Sequence, residues 1–195
     1  PNNKVALIIG SIPYSVVIAD AMKDGAKEKG WDIAFDEIVQ TPTTEWGPVL
    51  AKVRKHKPAA IANTHFFAGD IAQCQLQFAE NPTNSLFYYQ YGALQKDFRD
   101  IAGDTSVGVL TGTVDGLLSD DYAQDYVNAH AQKFGKNSDP QPGALSYGPM
   151  HHYALAAAVA GGTGEPGNYD QNKKIAWALK RFTYRGPTGS YWYHP

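Results

Sequence analysis

The clearest pattern along the chain is a continuous apolar run that leads directly into a turn. Val5 to Ile9 is apolar at every position, and the Gly/Ser/Pro-containing stretch from Gly10 to Ser15 follows it. A strand buried on both faces has this pattern, which is typical of a parallel sheet covered by helices. Ligands of such sheets bind beyond the carboxyl ends of the strands, so the turn from Gly10 to Ser15 is predicted to border a binding crevice.

Helical and strand patterns alternate from this strand to about residue 113. Helices are predicted over residues 15–29, 46–53, 68–79 and 94–101, and strands over 31–39, 59–63, 85–88 and 107–113. The second helix is indicated by the spacing of Trp46, Val49, Leu50 and Val53, which places one apolar stripe along it. This alternation predicts right-handed βαβ units and an α/β fold with a doubly wound parallel sheet.

The remainder of the chain has a different pattern, with three predicted helices and no strand between them. The first is expected to be capped by Ser119 and to end at Gly135, and the second covers 147–160 after a Pro/Gly-rich loop at 139–143. The third follows a flexible loop at 161–167 and carries apolar residues from 175 to 182. A turn and short strand are predicted over 188–193. The residues expected on the buried sides of the first and third helices are Tyr122, Tyr126, Val127, Phe134, Ile175, Ala178, Leu179 and Phe182.

Composition narrows the possible partners. With 43% apolar residues, 18% charged residues and a net charge of -2, the chain has no basic surplus that would favour nucleic acid or an anionic membrane. The single cysteine, Cys74, excludes an internal disulfide and is predicted to be a buried small hydrophobic residue. The chain starts at Pro1 without an initiator methionine or a signal peptide, so a processed, trimmed or partial chain is expected.

Three features that suggest chemistry have simpler explanations. His151 and His152, with His65, could be metal ligands, but neighbouring helical residues point about 100° apart, so no metal is expected. The glycine-rich segment 161–167 follows a helix, whereas a phosphate-binding loop follows a strand. No Gly-x-Ser-x-Gly elbow occurs, so a hydrolase triad is not predicted. The strand ends carry neither a catalytic acid/base pair nor a phosphate loop, so no enzyme activity and no cofactor are expected.

Four stretches carry a resemblance to a known family. Residues 4–14 resemble a strand that ends in a Tyr-Gly turn, with Ser15 in place of the glycine, and residues 101–110 resemble a helix end followed by a strand. Residues 146–149 resemble the start of a Tyr-Asp-Ala helix, with Gly148 where aspartate is usual, and residues 182–189 resemble a closing Gly-Pro-Thr-Gly turn. In this order the four motifs resemble the type I periplasmic solute-binding proteins of ABC transporters, specifically the leucine/isoleucine/valine-binding branch.

The resemblance implies a division between two lobes. Residues 1–113 and 186–195 would form lobe two, a Rossmann-like or flavodoxin-like domain, and the helices in 114–185 would pack on lobe one. Most of lobe one would be absent, so a missing N-terminal segment or a partner chain is expected to cover those helices. The implied function is the substrate-binding component of a branched-chain amino acid-like ABC transporter, which closes on a ligand by a hinge and meets a membrane permease. Such a protein is periplasmic or extracellular, with its signal peptide removed. The alternatives are a small-molecule-sensing domain of a receptor or repressor, and an α/β enzyme.

The resemblance also implies a binding site at the strand ends. Tyr14, in the turn that contains Ser11, matches a tyrosine that faces the ligand, and His65, Phe66 and Phe67 match an aromatic ligand wall. One of the two adjacent phenylalanines is expected to lie in the core, because neighbouring residues of an extended segment face opposite ways.

The fourth strand ends with Gln90 and Tyr91, where amino-acid binders of the family have a glutamate for the ligand's ammonium group. Asp70 or Asp115 could replace that carboxylate, although nothing local places either residue in the crevice. The expected ligand is an aromatic acid, an amide or urea-like compound, or an apolar or aromatic amino acid held differently. The alternative is that lobe one supplies the polar contacts that this strand end lacks.

Overall fold

The structure is a computed structural model that describes residues 2–113 and 116–194. The chain divides into two compact units, Pro1–Thr113 and Val114–Pro195. The second unit includes residues 186–195, which the sequence analysis assigned to lobe two. The assignment of segments to lobes stays a prediction.

The first unit is a five-stranded parallel sheet with helices in its connections. Its strands lie in the order β2-β1-β3-β4-β5, and every neighbouring pair is parallel. This is the flavodoxin-like order of a doubly wound sheet, as predicted. The elements are β1 (Lys4–Gly10), α1 (Pro13–Glu28), β2 (Asp32–Val39), α2 (Gly47–His56), β3 (Ala60–Asn63), α3 (Ala68–Glu80), β4 (Leu86–Gln90), α4 (Lys96–Ala102) and β5 (Leu110–Gly112).

Strand β1 separates the core of this unit into two sides. Leu7 and Ile9 pack with Ala19 of α1 on one side, whereas Ile8 belongs to a larger cluster with residues of α2 and α3 on the other. All five residues from Ala6 to Gly10 are buried, which explains why the run has no polar alternation. Cys74 is fully buried in the larger cluster, as predicted, and burial raises the pKa of its thiol to about 12.

Strand β5 is shorter than predicted. The sequence pattern indicated residues 107–113, but only Leu110–Gly112 pair with β4. The N–H groups of Val107 and Val109 donate instead to the carbonyls of Asp104 and Ser106, at 3.2 and 3.1 Å. The apolar residues at the start of the run therefore belong to a turn that satisfies its own backbone groups.

The second unit contains three helices and a hairpin. Within residues 116–194 no strand lies between the helices, as predicted, and the hairpin follows the last helix. Helices α6 and α7 pack through Ala156, Ala157, Ile175 and Ala178. The elements are α5 (Asp121–Phe134), α6 (Gln141–Val159), α7 (Tyr169–Leu179), β6 (Tyr184–Gly186) and β7 (Gly189–Tyr191).

Two expectations for α5 are wrong. Its N-cap is Asp120 and not Ser119, because the Asp120 carboxylate accepts a hydrogen bond from the Ala123 N–H at 3.0 Å. Tyr126 is buried as predicted, but its buried partner is Ala123, whereas Tyr122 is exposed and Phe134 is 61% exposed. Apolar spacing identified the helix but did not show which of its large side chains have a neighbour to pack against.

Helix α6 begins at Gln141, inside the segment predicted to be a loop. Proline within the first helical turn is tolerated because the N–H groups there have no intrahelical acceptor, so Pro142 starts the helix instead of breaking it. Further along, a Cβ added to Gly148 would lie 2.8 Å from Cε2 of Tyr191 in β7. The Tyr191 ring thus occupies the space that a side chain would need, which explains the glycine where the family has aspartate.

Several large apolar side chains of α6 and α7 remain exposed in this unit. Val159 and Trp177 are 70% and 57% exposed, and Met150 and Leu155 are also open to solvent. What covers them stays a prediction. No helix in the two described ranges combines the length and apolar character needed to span a bilayer.

Candidate functional site

The candidate site lies at the topological switch point of the sheet, between the neighbouring strands β1 and β3. The chain leaves β1 for α1 on one side of the sheet and leaves β3 for α3 on the other, as the two core clusters show. In a 2-1-3-4-5 sheet this divergence opens a crevice at the carboxyl ends of the two strands, and doubly wound proteins bind ligands there. Residues 11–15 and 64–67 border the crevice.

Ser15 holds these two borders together. Its side chain is fully buried, and its hydroxyl donates a hydrogen bond to the Thr64 carbonyl at 2.8 Å. A Cβ on Gly10 would lie 2.9 Å from the Ser15 Oγ, so Gly10 leaves the room that this contact needs. Ser15, where the family has glycine, therefore has a structural task that the sequence analysis missed.

Ser11 joins the turn after β1 to the segment after β2. Its N–H donates to Oγ1 of Thr41 at 3.2 Å, and its Oγ accepts from the N–H of Thr41 at 3.1 Å. This reciprocal pair holds the turn in place, so Thr41 is a second positioning residue that sequence reasoning missed. A ligand contact by Ser11 stays a prediction.

Tyr14, Phe66 and Phe67 form an exposed cluster of rings, which we call the aromatic wall. The ring centres of Tyr14 and Phe66 lie 5.5 Å apart in an edge-to-face arrangement, and those of Phe66 and Phe67 lie 4.7 Å apart and stacked. Tyr14 and Phe67 are 46% and 45% exposed, and Phe66 is half-buried. The expectation that one phenylalanine lies in the core is wrong, because residues 64–67 are not part of an extended strand.

His65 lies behind the wall. Its side chain is fully buried, its ring meets Trp46 edge-on at 5.5 Å, and its Nε2 lies 3.3 Å from Oδ2 of Asp70. Burial lowers the pKa of His65, and the attraction of the Asp70 carboxylate only partly opposes this, so the ring is neutral near pH 7. A fully buried ring does not line the crevice, which departs from the prediction that His65 contacts a ligand.

Asp70 is also engaged within the fold. Its Oδ2 accepts a hydrogen bond from the Thr43 N–H at 2.7 Å, which ties the first turn of α3 to the segment that precedes α2. This carboxylate is a poor substitute for an ammonium-binding glutamate because its Oδ2 atom already has two neighbours, the Thr43 N–H and the His65 ring. The other suggested substitute, Asp115, lies outside the described residues.

Strand β4 brings a polar pair to the same edge of the sheet. Tyr88 and Gln90 share one face of the strand, and the Tyr88 hydroxyl donates to Oε1 of Gln90 at 2.5 Å. Burial raises the pKa of Tyr88, and the neighbouring Tyr14 raises it further, so the hydroxyl stays protonated. Tyr88 was missed as a site residue, although the period-2 alternation of a strand places it beside Gln90.

The backbone after Gln90 is tightly constrained. Tyr91 has φ 57° and ψ -54°, a conformation that costs a non-glycine residue on the order of 1–3 kcal/mol. The Tyr91 N–H donates to the Gly112 carbonyl at 3.2 Å, and Gly92 contacts the backbone of Phe66. Strained residues cluster at binding sites, and the strained Tyr91 lies between the end of β4 and Gly92, which packs against the backbone of the aromatic wall.

The histidines considered as metal ligands have other surroundings. In the described part of the chain, no group of three or more His, Cys, Asp or Glu residues could hold a metal ion. His151 packs on Tyr147 at 4.1 Å between ring centres, and the buried His152 packs against Phe182 and Tyr184.

The two buried histidines are expected to make stability depend on pH. Burial lowers the pKa of both His65 and His152 below the ordinary value of about 6.5, which both regain in the unfolded chain. The unfolded state therefore binds more protons below about pH 6.5, so stability is fully present above that pH and is lost as the pH falls through the folded-state pKa values.

We expect the urea concentration at the midpoint of unfolding to decrease as the pH is lowered from about 7.5 to about 5. His65→Gln and His152→Gln should each flatten part of this slope. His56→Gln, at the exposed end of α2, is the matched control. A midpoint that is constant or rises on acidification would contradict the assignment.

Several solved structures superpose on this chain. A protein described as a branched-chain amino acid ABC transporter from Silicibacter pomeroyi is 46% identical and superposes with a TM-score of 0.88, over 100% of this chain and 49% of that one. An extracellular ligand-binding receptor from Rhodopseudomonas palustris is 23% identical, with a TM-score of 0.81 over 97% of this chain and 55% of the receptor. The leucine-binding protein LivK from Thermotoga maritima is 19% identical, with a TM-score of 0.75 over 96% and 52%.

The chain spans about half the length of these solved relatives. No protein-family model matches the sequence, and a search of curated proteins finds no match. The two relatives below 25% identity support the fold alone, whereas the Silicibacter protein is similar in sequence along the whole chain. These comparisons confirm the predicted α/β fold and the family resemblance.

Proposed function

We propose that this chain, which has the fold of the type I periplasmic solute-binding proteins, is the ligand-binding part of an extracytoplasmic substrate-binding protein of an ABC transporter. It would bind a small ligand in the crevice between β1 and β3, and a second lobe would close over that ligand by a hinge. A membrane permease would recognise the closed form. Binding needs no bond-making step, so no catalytic residue is assigned.

The observation that carries the proposal is the position of the aromatic wall. Tyr14 and Phe67, large side chains that would be expected in a core, are nearly half-exposed at the switch point of the sheet. Exposed apolar surface at a crevice indicates a binding site. The buried hydrogen bond of Ser15 joins its two borders, and the partly buried hydrogen bond of Ser11 to Thr41 holds the turn after β1. The 46% identity to the Silicibacter transporter protein supports the same function.

The test begins with the protein as purified from its own source. Native mass spectrometry without added ligand should show a small adduct that is released on activation and can be identified. Phe67→Ala should then weaken the binding of that ligand by about tenfold or more in calorimetry, because truncating a central aromatic contact typically costs more than 1 kcal/mol.

The matched control is Phe134→Ala, which removes a similarly exposed phenylalanine from α5. It should leave the affinity unchanged. Equal losses in the two variants would argue against a site at the aromatic wall, and the absence of any bound or bindable small molecule would overturn the proposed function.

A further inference from the structure

We infer that the crevice selects a ligand whose polar end is a carboxylate on a flat apolar body and which carries no ammonium group beside it. This inference deepens the proposed function and depends on it. It rests on the hydrogen-bonding orientation of Gln90, the absence of acidic residues directly after three strands, and the shape of the aromatic wall.

Gln90 offers a hydrogen-bond donor at the end of β4, where it pairs with Tyr88, a neighbour of Tyr14 in the aromatic wall. A glutamine amide has one accepting oxygen and one donating nitrogen, and the Tyr88 hydroxyl already occupies the oxygen at 2.5 Å. No described residue accepts a hydrogen bond from the Gln90 Nε2. With its oxygen engaged by Tyr88, the half-buried amide offers N–H groups, which suit a carboxylate or carbonyl oxygen and do not suit an ammonium group.

The borders of the crevice carry no negative charge. No acidic residue occurs in 11–15, 64–67 or 91–93, the segments that directly follow β1, β3 and β4. The nearest acidic side chain along the chain from the wall, Asp70, is engaged with the Thr43 N–H and His65. Burying a ligand ammonium group without a carboxylate partner is unfavourable, so this surface discriminates against amines.

The arrangement of the rings favours a flat apolar group over a cation. A cation lies over an open aromatic face, and the sites that recognise quaternary ammonium ligands direct several such faces at one point. Here Phe66 and Phe67 cover part of each other's faces by stacking at 4.7 Å, and Tyr14 meets Phe66 edge-to-face. What remains open is an extended apolar surface, on which a planar group can lie with its carboxylate directed toward Gln90.

The test compares three probes that differ only in their charged groups: 3-phenylpropanoate, phenylalanine and phenethylamine. Calorimetry on the protein from its own source, after removal of any bound ligand, should give the tightest binding for 3-phenylpropanoate and at least about tenfold weaker binding for the two amines. The small molecule released from the native protein should likewise contain a carboxylate and no ammonium group.

Two variants test the residues named. Gln90→Glu should weaken binding of 3-phenylpropanoate by at least about tenfold and improve the relative binding of phenylalanine, because it replaces a donor by a negative charge. Tyr88→Phe frees the amide to rotate and should reduce the discrimination between the acid and the amines. Gln124→Glu, on the exposed side of α5, is the matched control and should change neither quantity.

Each outcome decides one question. A released amino acid or amine, or tighter binding of phenylalanine than of 3-phenylpropanoate, would overturn the inference and leave the proposed function standing. Loss of that amine binding in Asp115→Asn would then identify the carboxylate that the inference lacks. If no ligand is released and no probe binds, the proposed function fails together with the inference.

Discussion

Replacing Gly92 by alanine is expected to lower the free energy of unfolding by about 3 kcal/mol and to weaken ligand binding strongly. A Cβ at this position would lie 2.3 Å from the Phe66 carbonyl oxygen and 2.8 Å from Cδ1 of Ile71. The first of these atoms belongs to the backbone and cannot rotate away. The alanine therefore has to displace the segment that carries Phe66 and Phe67, and the aromatic wall moves with it.

Gly69→Ala provides a matched control in the same unit. Gly69 lies in the first turn of α3, next to the wall, and an added Cβ would meet nothing within 4 Å. This variant should be as stable as the original protein or up to about 1 kcal/mol more stable, because alanine favours the helix over glycine. Urea unfolding measures the stability of both variants, and calorimetry with the co-purified ligand measures the binding affinity at the aromatic wall. Equal stability of the two variants would contradict the close packing at Gly92.

Replacing Trp46 by alanine is expected to lower the free energy of unfolding by about 3–5 kcal/mol. Trp46 is the largest fully buried side chain, and it packs in the core cluster that includes Ile8 and Ile71. Its indole nitrogen has no hydrogen-bond partner among the described residues, so the loss comes from packing and not from a broken hydrogen bond. The cavity would open directly beside His65, which supports the aromatic wall from behind.

Trp177→Ala tests whether burial is the cause. Trp177 is 57% exposed on α7, and its ring contacts the Arg181 guanidinium at 3.9 Å from the ring centre. Its removal should cost about 1 kcal/mol or less, the range of an exposed cation–π contact. Urea unfolding of both variants checks the difference. Similar losses for the two tryptophans would mean that the Trp46 site relaxes to fill the cavity.

The core of the first unit could be predicted because the apolar patterns that form it extend over only a few consecutive residues. The run from Val5 to Ile9 contains no polar residue because both faces of its strand are covered. The apolar stripe from Trp46 to Val53 repeats at the helical period. These patterns predicted the elements of the α/β sheet to within a few residues, except at β5. The motifs at residues 4–14 and 182–189 added the family resemblance.

The misassigned features depend on partners that are distant in sequence. Phe134 has an apolar side chain at a helical position but is 61% exposed, and its ring contacts His130 and Lys133 of its own helix and not a buried core. Asp120 and Ser119 are both good caps, and only the position of the Ala123 N–H distinguishes them. In the site, alternation did not apply to Phe66 and Phe67, because residues 64–67 are not strand.

The sequence by itself determined the strand that ends at Gly10, the alternation that makes a doubly wound sheet, and the family to which these motifs are similar. Apolar periodicity and turn residues encode these features over short distances. Only the tertiary structure decided that His65 is buried behind the wall, that Phe67 is exposed and Phe66 half-buried, and that the Tyr88 hydroxyl donates to Gln90. Burial depends on elements that the folded chain brings together from distant parts of the sequence, and the direction of a hydrogen bond depends on how the side chains are oriented in the fold, so the pattern of apolar and polar positions encodes neither.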